Sequence, residues 1–490
     1  MRQILVIWLL LCAGMLLAQT TLQVNGLNEA QLVYRDVPDS LRMYFKDSFS
    51  FNLAYRGFGF GMKFISELPK YRSSQSDLLD ELEAKDLKVG FDELYVSYES
   101  GPWMVKSGTL YETFGSGMVF RSYEDKEFDQ DHRIKGFQFK YDDLFRLKAI
   151  YGGISSPNDA NALDLSYGVD IEYPGSFYKI AAGAVGFRNK TAFGYDQSDV
   201  FFARLGFNYS SFSFWSEAAM RELYHRGSPA LKPVSGKAFI AGADYSLGPV
   251  LVGAAFKNYD QFQYRQQDVF LANYHGETLA DSQASALDEQ GVQGWIGWDI
   301  SDNWNVEANY AEAWSSDDLR KMNDLFGALE YSGDALNAGF EWSHIEKTGS
   351  EPGAMGQLNH YWQKEVTPAL NLGFDVCSKP LSLKTEFKLV EKENINTGYD
   401  TVSHYEPRIQ ADIALGKVSL SAATGSKWEG FDSLMDSRYW ANMEAKIGLF
   451  DHSELLVFAG SEAGGKVCRN GMCRFVAPFS GLRVELSTRF

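Results

Sequence analysis

Two cysteines, Cys468 and Cys473, bracket Arg469-Asn470-Gly471-Met472. Asn-Gly is a strong two-residue hairpin signal, because both central positions take positive φ. With Asn470 and Gly471 at the tip, Arg469 faces Met472 and Cys468 faces Cys473. In an exported chain this spacing predicts a disulfide that staples an outer hairpin tip. The loop it closes is short, so its entropic contribution is small and local. A metal clip is the weaker alternative, since no histidine lies beside the pair. Cys377 stands next to a turn expected at Lys379-Pro380 and reads as a small turn-flanking residue.

Catalytic chemistry has no comparable signature. The histidines are His132, His225, His275, His344, His360, His404 and His452. None lies in a G-x-S-x-G or H-E-x-x-H motif. Six fall in or near connections and His452 in an expected turn. An enzyme of the lipase or protease type is not expected; it would need Ser or Asp clustered with His. Asp125, Asp129 and Asp131 lack the spacing and glycine of a calcium loop and read as a solvated loop. No metal and no cofactor is expected.

The elements that must carry these residues are strands. Leu482, Val484, Leu486, Thr488 and Phe490 fall on one face, and Arg483, Glu485, Ser487 and Arg489 on the other. Leu381 to Leu389, Trp304 to Tyr310, Ile409 to Leu415 and Ala441 to Leu449 alternate in the same way. A soluble sandwich shows such alternation too. The N-terminus argues for a membrane barrel. Arg2 is a basic n-region, Ile4 to Leu17 an apolar run and Ala18 a cleavage residue, so residues 1–18 read as a signal peptide. Cys12 follows Leu11, where a lipid-attachment motif needs a small residue. The expected domain is a single outer-membrane β-barrel over residues 19–490. Leu486, Thr488 and Phe490 resemble the assembly signal of Gram-negative outer-membrane barrels, which implies the barrel-assembly machinery as a partner.

Composition agrees. Aromatic residues make up 15% of the chain, with 45 glycines and only 13 prolines. Barrels place aromatics at both membrane interfaces and glycine in tight turns. No later stretch is apolar enough for a membrane helix. Eleven short turn signals recur, from Arg56-Gly57 through Gly248-Pro249 to Asp451-His452. They predict an all-β, transmembrane, antiparallel up-and-down barrel of about 24 strands, within 20–26, with short periplasmic turns and long extracellular loops. No plug domain is visible; if one exists, the segment Tyr111 to His132 is the best candidate. The lumenal faces mix signs, as in Lys384, Glu386, Arg408 and Asp412, which gives a wet and weakly selective wall. The net charge of −18 is therefore assigned to outer loops: Asp77 to Asp86, Glu124 to Asp131, and Asp281 to Glu289. Their role is solubility, or a divalent-cation layer shared with lipopolysaccharide. A chain this acidic is a poor partner for nucleic acid.

One block is more distinctive: Gly108-Thr-Leu-Tyr111-Glu-Thr-Phe114-Gly115-Ser-Gly117-Met-Val-Phe120-Arg121-Ser-Tyr123-Glu124, followed by Asp131, Ile134, Gly136 and Tyr141. With Gly464-Gly465-Lys-Val-Cys468-Arg-Asn-Gly471-Met-Cys473-Arg474-Phe-Val-Ala-Pro478, it resembles an uncharacterised family of exported barrel proteins of the Bacteroidota and related Gram-negative groups. The resemblance extends over nearly the whole exported chain and implies an outer-membrane location and no assigned substrate. The first block itself has two readings. One is an ordinary strand with a glycine bulge. The other is a loop turned inward at Gly115 and Gly117, pinned by Arg121 with Glu124, with Tyr111, Arg121 and Glu124 lining a pore.

Two function classes follow. The first is a porin-like channel or transporter for small polar solutes, supported by the wet inner face and the lack of a visible plug. The second is a barrel that anchors an assembly or secretion partner and transports nothing itself. Outer-membrane lipid and lipopolysaccharide surround either one.

Overall fold

The computed structural model describes residues 22–36, 42–68, 88–125, 130–156, 159–191, 194–226, 231–279, 286–352, 358–394, 400–429, 438–469, 472–476 and 478–490. The signal-peptide segment and Asp77 to Asp86 lie outside the described residues. The chain forms one 24-stranded antiparallel sheet, each strand paired with its sequence neighbours. The first strand, Gln23–Arg35, pairs with the last, Phe479–Arg489, and closes the sheet into a barrel. Closure pairs both edges of this sheet, which is what a barrel in lipid requires.

Register fixes which face looks inward. Lys384 pairs with Gln410, Glu386 with Arg408 and Ser382 with Asp412, all on one face. Leu383, Thr385, Ile409 and Ala411 take the other. The alternation read from the sequence is therefore the wall of the barrel, polar inside and apolar outside. Large apolar side chains such as Phe201, Met220, Leu329, Phe340 and Met443 stand exposed on the outer face.

Eleven short turns join the strands at the end that holds both described termini. Ten of them fall where the sequence placed them. The other is a correction: Cys377 and Ser378 form the turn, with φ of 52° and 61°, and Lys379 and Pro380 open the next strand. Two adjacent positive φ angles make a tight hairpin turn, so Cys377 is a turn residue, exposed as a free thiol. Aromatic pairs gather near this end, among them Trp103 with Tyr141 at 4.4 Å and Trp304 with Tyr331 at 4.9 Å. They form the interfacial girdle expected of a membrane barrel.

Connections at the opposite end vary widely in length. Only two residues separate Ser156 from Asp159 and Thr191 from Gly194, whereas 27 separate Asp260 from Asp288. Between Glu462 and Phe479 a separate hairpin forms, Gly465–Arg469 with Met472–Val476. Its register sets Cys468 directly opposite Cys473. The tip residues Asn470 and Gly471, and both thiols, lie outside what is described. Alkylation of the non-reduced protein is expected to modify Cys377 at once and Cys468 and Cys473 only after reduction. Immediate modification of all three would remove the disulfide.

Candidate functional site: two segments folded into the lumen

The segment between the strands Trp103–Leu110 and Ile134–Asp142 turns into the barrel, so the inward reading replaces the simple strand with a bulge. Leu110 pairs with Ile134 at its root. Beyond them Glu112–Phe114 pairs with Phe120–Ser122. Gly115 and Gly117 make the tip, with φ of 58° and 97°. A Cβ on Gly115 would stand 2.5 Å from Arg204 and 2.7 Å from Glu217. Only glycine brings the backbone this close to the wall. Ser116 then donates to Glu217 Oε2 from its amide at 3.1 Å and its hydroxyl at 2.8 Å.

A second segment, residues 261–279 and 286–287 in the connection after Asp260, also enters the lumen, whereas the sequence expectation there is only an outer acidic loop over Asp281 to Glu289. Backbone bonds stitch the two together: Arg121 N–H donates to the Gln266 carbonyl and Asp268 N–H to the Gly117 carbonyl, each at 2.9 Å. The Tyr264 hydroxyl donates to the Val119 carbonyl at 2.8 Å. Burial holds that phenol well above its ordinary value, so it stays a neutral donor. The segment runs across the lumen like a chord. At one end Arg265 reaches the Ser155 carbonyl at 2.8 Å, and at the other Glu277 pairs with Lys347 at 2.8 Å.

Apolar burial holds the pair in place. Phe114, Met118, Val119, Phe120 and Phe262 are fully buried against Ile150, Val185, Phe187, Val200, Phe202 and Ile240. These wall residues share the lumenal face with Asp170, Gly183 and Ala219. Strands 178–191, 194–209 and 234–247 thus carry apolar patches on the lumenal face under the inward segments, beside polar residues such as Ser198 and Arg204. An apolar lumenal face in water demands a cover. Loss of alternation in these strands was the sequence signal for a plug, together with the long aromatic connection after Asp260.

At the root of the first segment lies a charge cluster. Lys63 meets Asp92 at 2.7 Å and Glu124 at 3.5 Å. Arg133 meets Asp92 at 2.9 Å, Glu93 at 3.2 Å and Asp131 at 2.8 Å. Burial works to raise the Asp131 carboxyl, but the hydrogen bonds and charge of Arg133 outweigh it and hold it below the usual carboxylate range. The oxygens of Asp92, Glu93 and Glu124 lie within 4.8 Å of one another, a spacing a divalent cation could bridge. Lys63 and Arg133 already stand among them, so the cluster works as an ionic lock.

Tyr111 and Glu124 both belong to this lock; the Tyr111 hydroxyl donates to Glu93 at 2.8 Å. Arg121 does not. It pairs with Asp268 of the second segment and lies over the Tyr123 ring at 4.3 Å. The expected Arg121–Glu124 pin is therefore replaced by two separate contacts. The acidic stretches are corrected likewise: Glu124 is locked inside, and Glu289 is fully buried against Lys257 on the lumenal wall.

Opposite the inward segments the wall is polar. Lys384 pairs with Glu386 at 2.9 Å, Lys427 with Glu406 at 3.2 Å and Lys446 with Glu454 at 3.1 Å. Near the turn end this side borders a cavity of about 770 Å³, with Glu330, Asn337, Asn371, Ser382, Asp412 and Lys446 among its lining residues.

The sequence model of a family of unknown function, DUF6029, matches residues 49–281. That span holds the first distinctive block and both inward segments almost entire, but not the cysteine block. No curated protein matches the chain. The barrel is similar to solved outer-membrane barrels. Against an E. coli P pilus tip assembly intermediate, PapC-PapD-PapK-PapG, the TM-score is 0.56 at 9% identity, covering 96% of this chain and 60% of that one. The P pilus usher PapC translocation pore gives 0.49 at 9% identity, covering 96% and 99%. The siderophore receptor PirA from Pseudomonas aeruginosa gives 0.49 at 10%, covering 96% and 81%. At such identities the likeness is one of fold: a large closed barrel of the outer-membrane kind.

Proposed function

We propose that this barrel is a partly plugged outer-membrane channel for small polar solutes. The observation that carries the reading is the division of the lumen. One side carries apolar patches covered by the two inward segments; the other is lined by paired charges, asparagine and serine, and borders open space. Paired charges of both signs hydrate a path without selecting strongly for either ion. Tyr111 and Arg121 border this path from the plug side, with Glu124 behind them in the lock. The turn end is periplasmic, the cysteine hairpin is outside, and lipid and lipopolysaccharide meet the apolar outer face. The strand ending at Leu486, Thr488 and Phe490 is the part offered to the barrel-assembly machinery.

The second reading, an anchor or assembly partner without transport, rests on the inward segments, which would then seal the lumen. Planar-bilayer recording separates the two. The purified barrel is expected to give steady conductance, and Arg121→Glu to raise its cation preference. A silent barrel would favour the anchor. Conductance indifferent to Arg121→Glu would remove that residue from the path.

A further inference from the structure

Three residues distant in sequence meet where the second inward segment touches the wall. His275 Nδ1 lies 2.7 Å from Asp324 Oδ1, and the His275 backbone N–H donates to Asp324 Oδ2 at 3.1 Å. Asp324 is fully buried. A carboxylate only accepts, so in the neutral imidazole the proton sits on Nδ1 and Nε2 is left as an acceptor. Ser343 Oγ lies 2.8 Å from that Nε2, and its hydroxyl donates to it. Pinning the segment to the wall needs only Asp324; the hydroxyl on the far nitrogen is an additional feature. This is the order of contacts in a Ser–His–Asp triad, assembled from a lumenal segment and two adjacent strands.

We propose that Ser343 is an acyl-accepting nucleophile, with His275 as its base and Asp324 as the positioning residue, acting on small uncharged esters that enter the lumen. Ser343 faces inward, paired with Phe326 on one side and Thr367 on the other. Lipid tails at the outer face are out of its reach, so the substrate is a soluble ester. Glu341 and Glu365 share its face and disfavour anionic acyl groups. Beside it Tyr274 stacks on Phe326 at 3.7 Å, nearly parallel, which offers a flat apolar surface to an acyl or alcohol group.

The Ser343 Oγ bonds to the acyl carbon while its proton passes to His275 Nε2. The tetrahedral adduct collapses, the bond to the alcohol oxygen breaks with its electron pair, and that oxygen takes the proton. Water then attacks the acyl-serine, again giving its proton to His275, and releases the acid and free Ser343. The backbone beside Ser343 is engaged in the strand ladder, so the oxyanion relies on side-chain donors, of which Thr367, its register partner on the next strand, is one. A missing oxyanion donor costs about 10²–10³ in rate. Turnover is therefore expected to be slow, and covalent labelling is the sharper readout.

The test uses the full chain folded in detergent micelles with a small neutral fluorophosphonate, which loses fluoride as the Ser–O–P bond forms. Mass mapping is expected to find the adduct on Ser343. Ser343→Ala should abolish it, and His275→Asn should slow it by about 100-fold or more. Ser350→Ala removes another serine beside a histidine, His360, and should change nothing. Heat-modifiable migration reports whether each variant is folded. Absence of label on Ser343 in a folded barrel, or equal labelling of the His275→Asn variant, would overturn the proposal. Conductance is read separately, so this activity and the channel stand or fall independently.

Discussion

Replacing Phe490 with alanine is expected to lower the yield of folded, heat-modifiable barrel by up to about tenfold. The ring closes the seam between the first and last strands. Gly26 N–H donates to the Phe490 carbonyl at 2.8 Å, and Phe490 N–H to the Gly26 carbonyl at 3.1 Å. A Cβ on Gly26 would lie 2.0 Å from the ring, so glycine leaves the place the aromatic fills. Phe49 stacks alongside at 5.8 Å. Alanine keeps the backbone bonds and loses the ring, which is about half covered (53% exposed), so its contacts are worth about half of the 1.5–3 kcal/mol of a fully buried side chain. A loss of about 1.4 kcal/mol, at the top of that range, is tenfold. Gly26→Val should displace the ring and reproduce the defect, and the double variant should lose less than the sum of the two. Full folding of Gly26→Val beside a failing Phe490→Ala would sink this account of the seam.

The second large effect is expected from the inward segments. Phe114 and Phe120 lie 5.0 Å apart and are fully buried, and they approach Phe202 and Phe187 of the wall at 6.2 Å and 6.3 Å. Truncating a buried phenylalanine to alanine costs about 3–5 kcal/mol. Losing both should free the first segment, and with it the backbone bonds to the second. Single-channel conductance of Phe114→Ala/Phe120→Ala is expected to rise several-fold. The strand ladder is untouched, so the barrel should keep its heat-modifiable migration. Unchanged conductance would show that these segments do not narrow the path.

The wall of this barrel was legible in the sequence because one rule governs it locally. Each strand meets lipid on one face and water on the other, and period-two alternation records that wherever both are present. Leu381 to Leu389 and Ile409 to Leu415 are the clearest cases, and the register keeps the faces the alternation assigned. Turns were legible for a similar reason: Arg56-Gly57 and Gly248-Pro249 carry conformational preferences of their own. The turn at Cys377-Ser378 was misplaced by two residues because Pro380 is the louder signal, although it sits inside the next strand.

The lumen was not legible in the same way. Val185, Phe187, Phe202 and Ile240 break the alternation on the inner face, and local pattern alone does not say what covers them. The cover comes from residues 111–123 and 262–270, brought there by closure of the whole sheet. The lock among Lys63, Asp92, Glu124 and Arg133 draws on three separate stretches of chain. The contact of His275, Asp324 and Ser343 draws on three more. The sequence by itself determined the barrel, its strand number, most of its turns and which residues face outward, since each depends on neighbours along the chain and on solvent. Only the tertiary structure decided that Arg121 meets Asp268 rather than Glu124, that Glu289 is buried with Lys257, and which histidine gains both a carboxylate and a serine. Those outcomes depend on distances across a lumen, which no local spacing encodes.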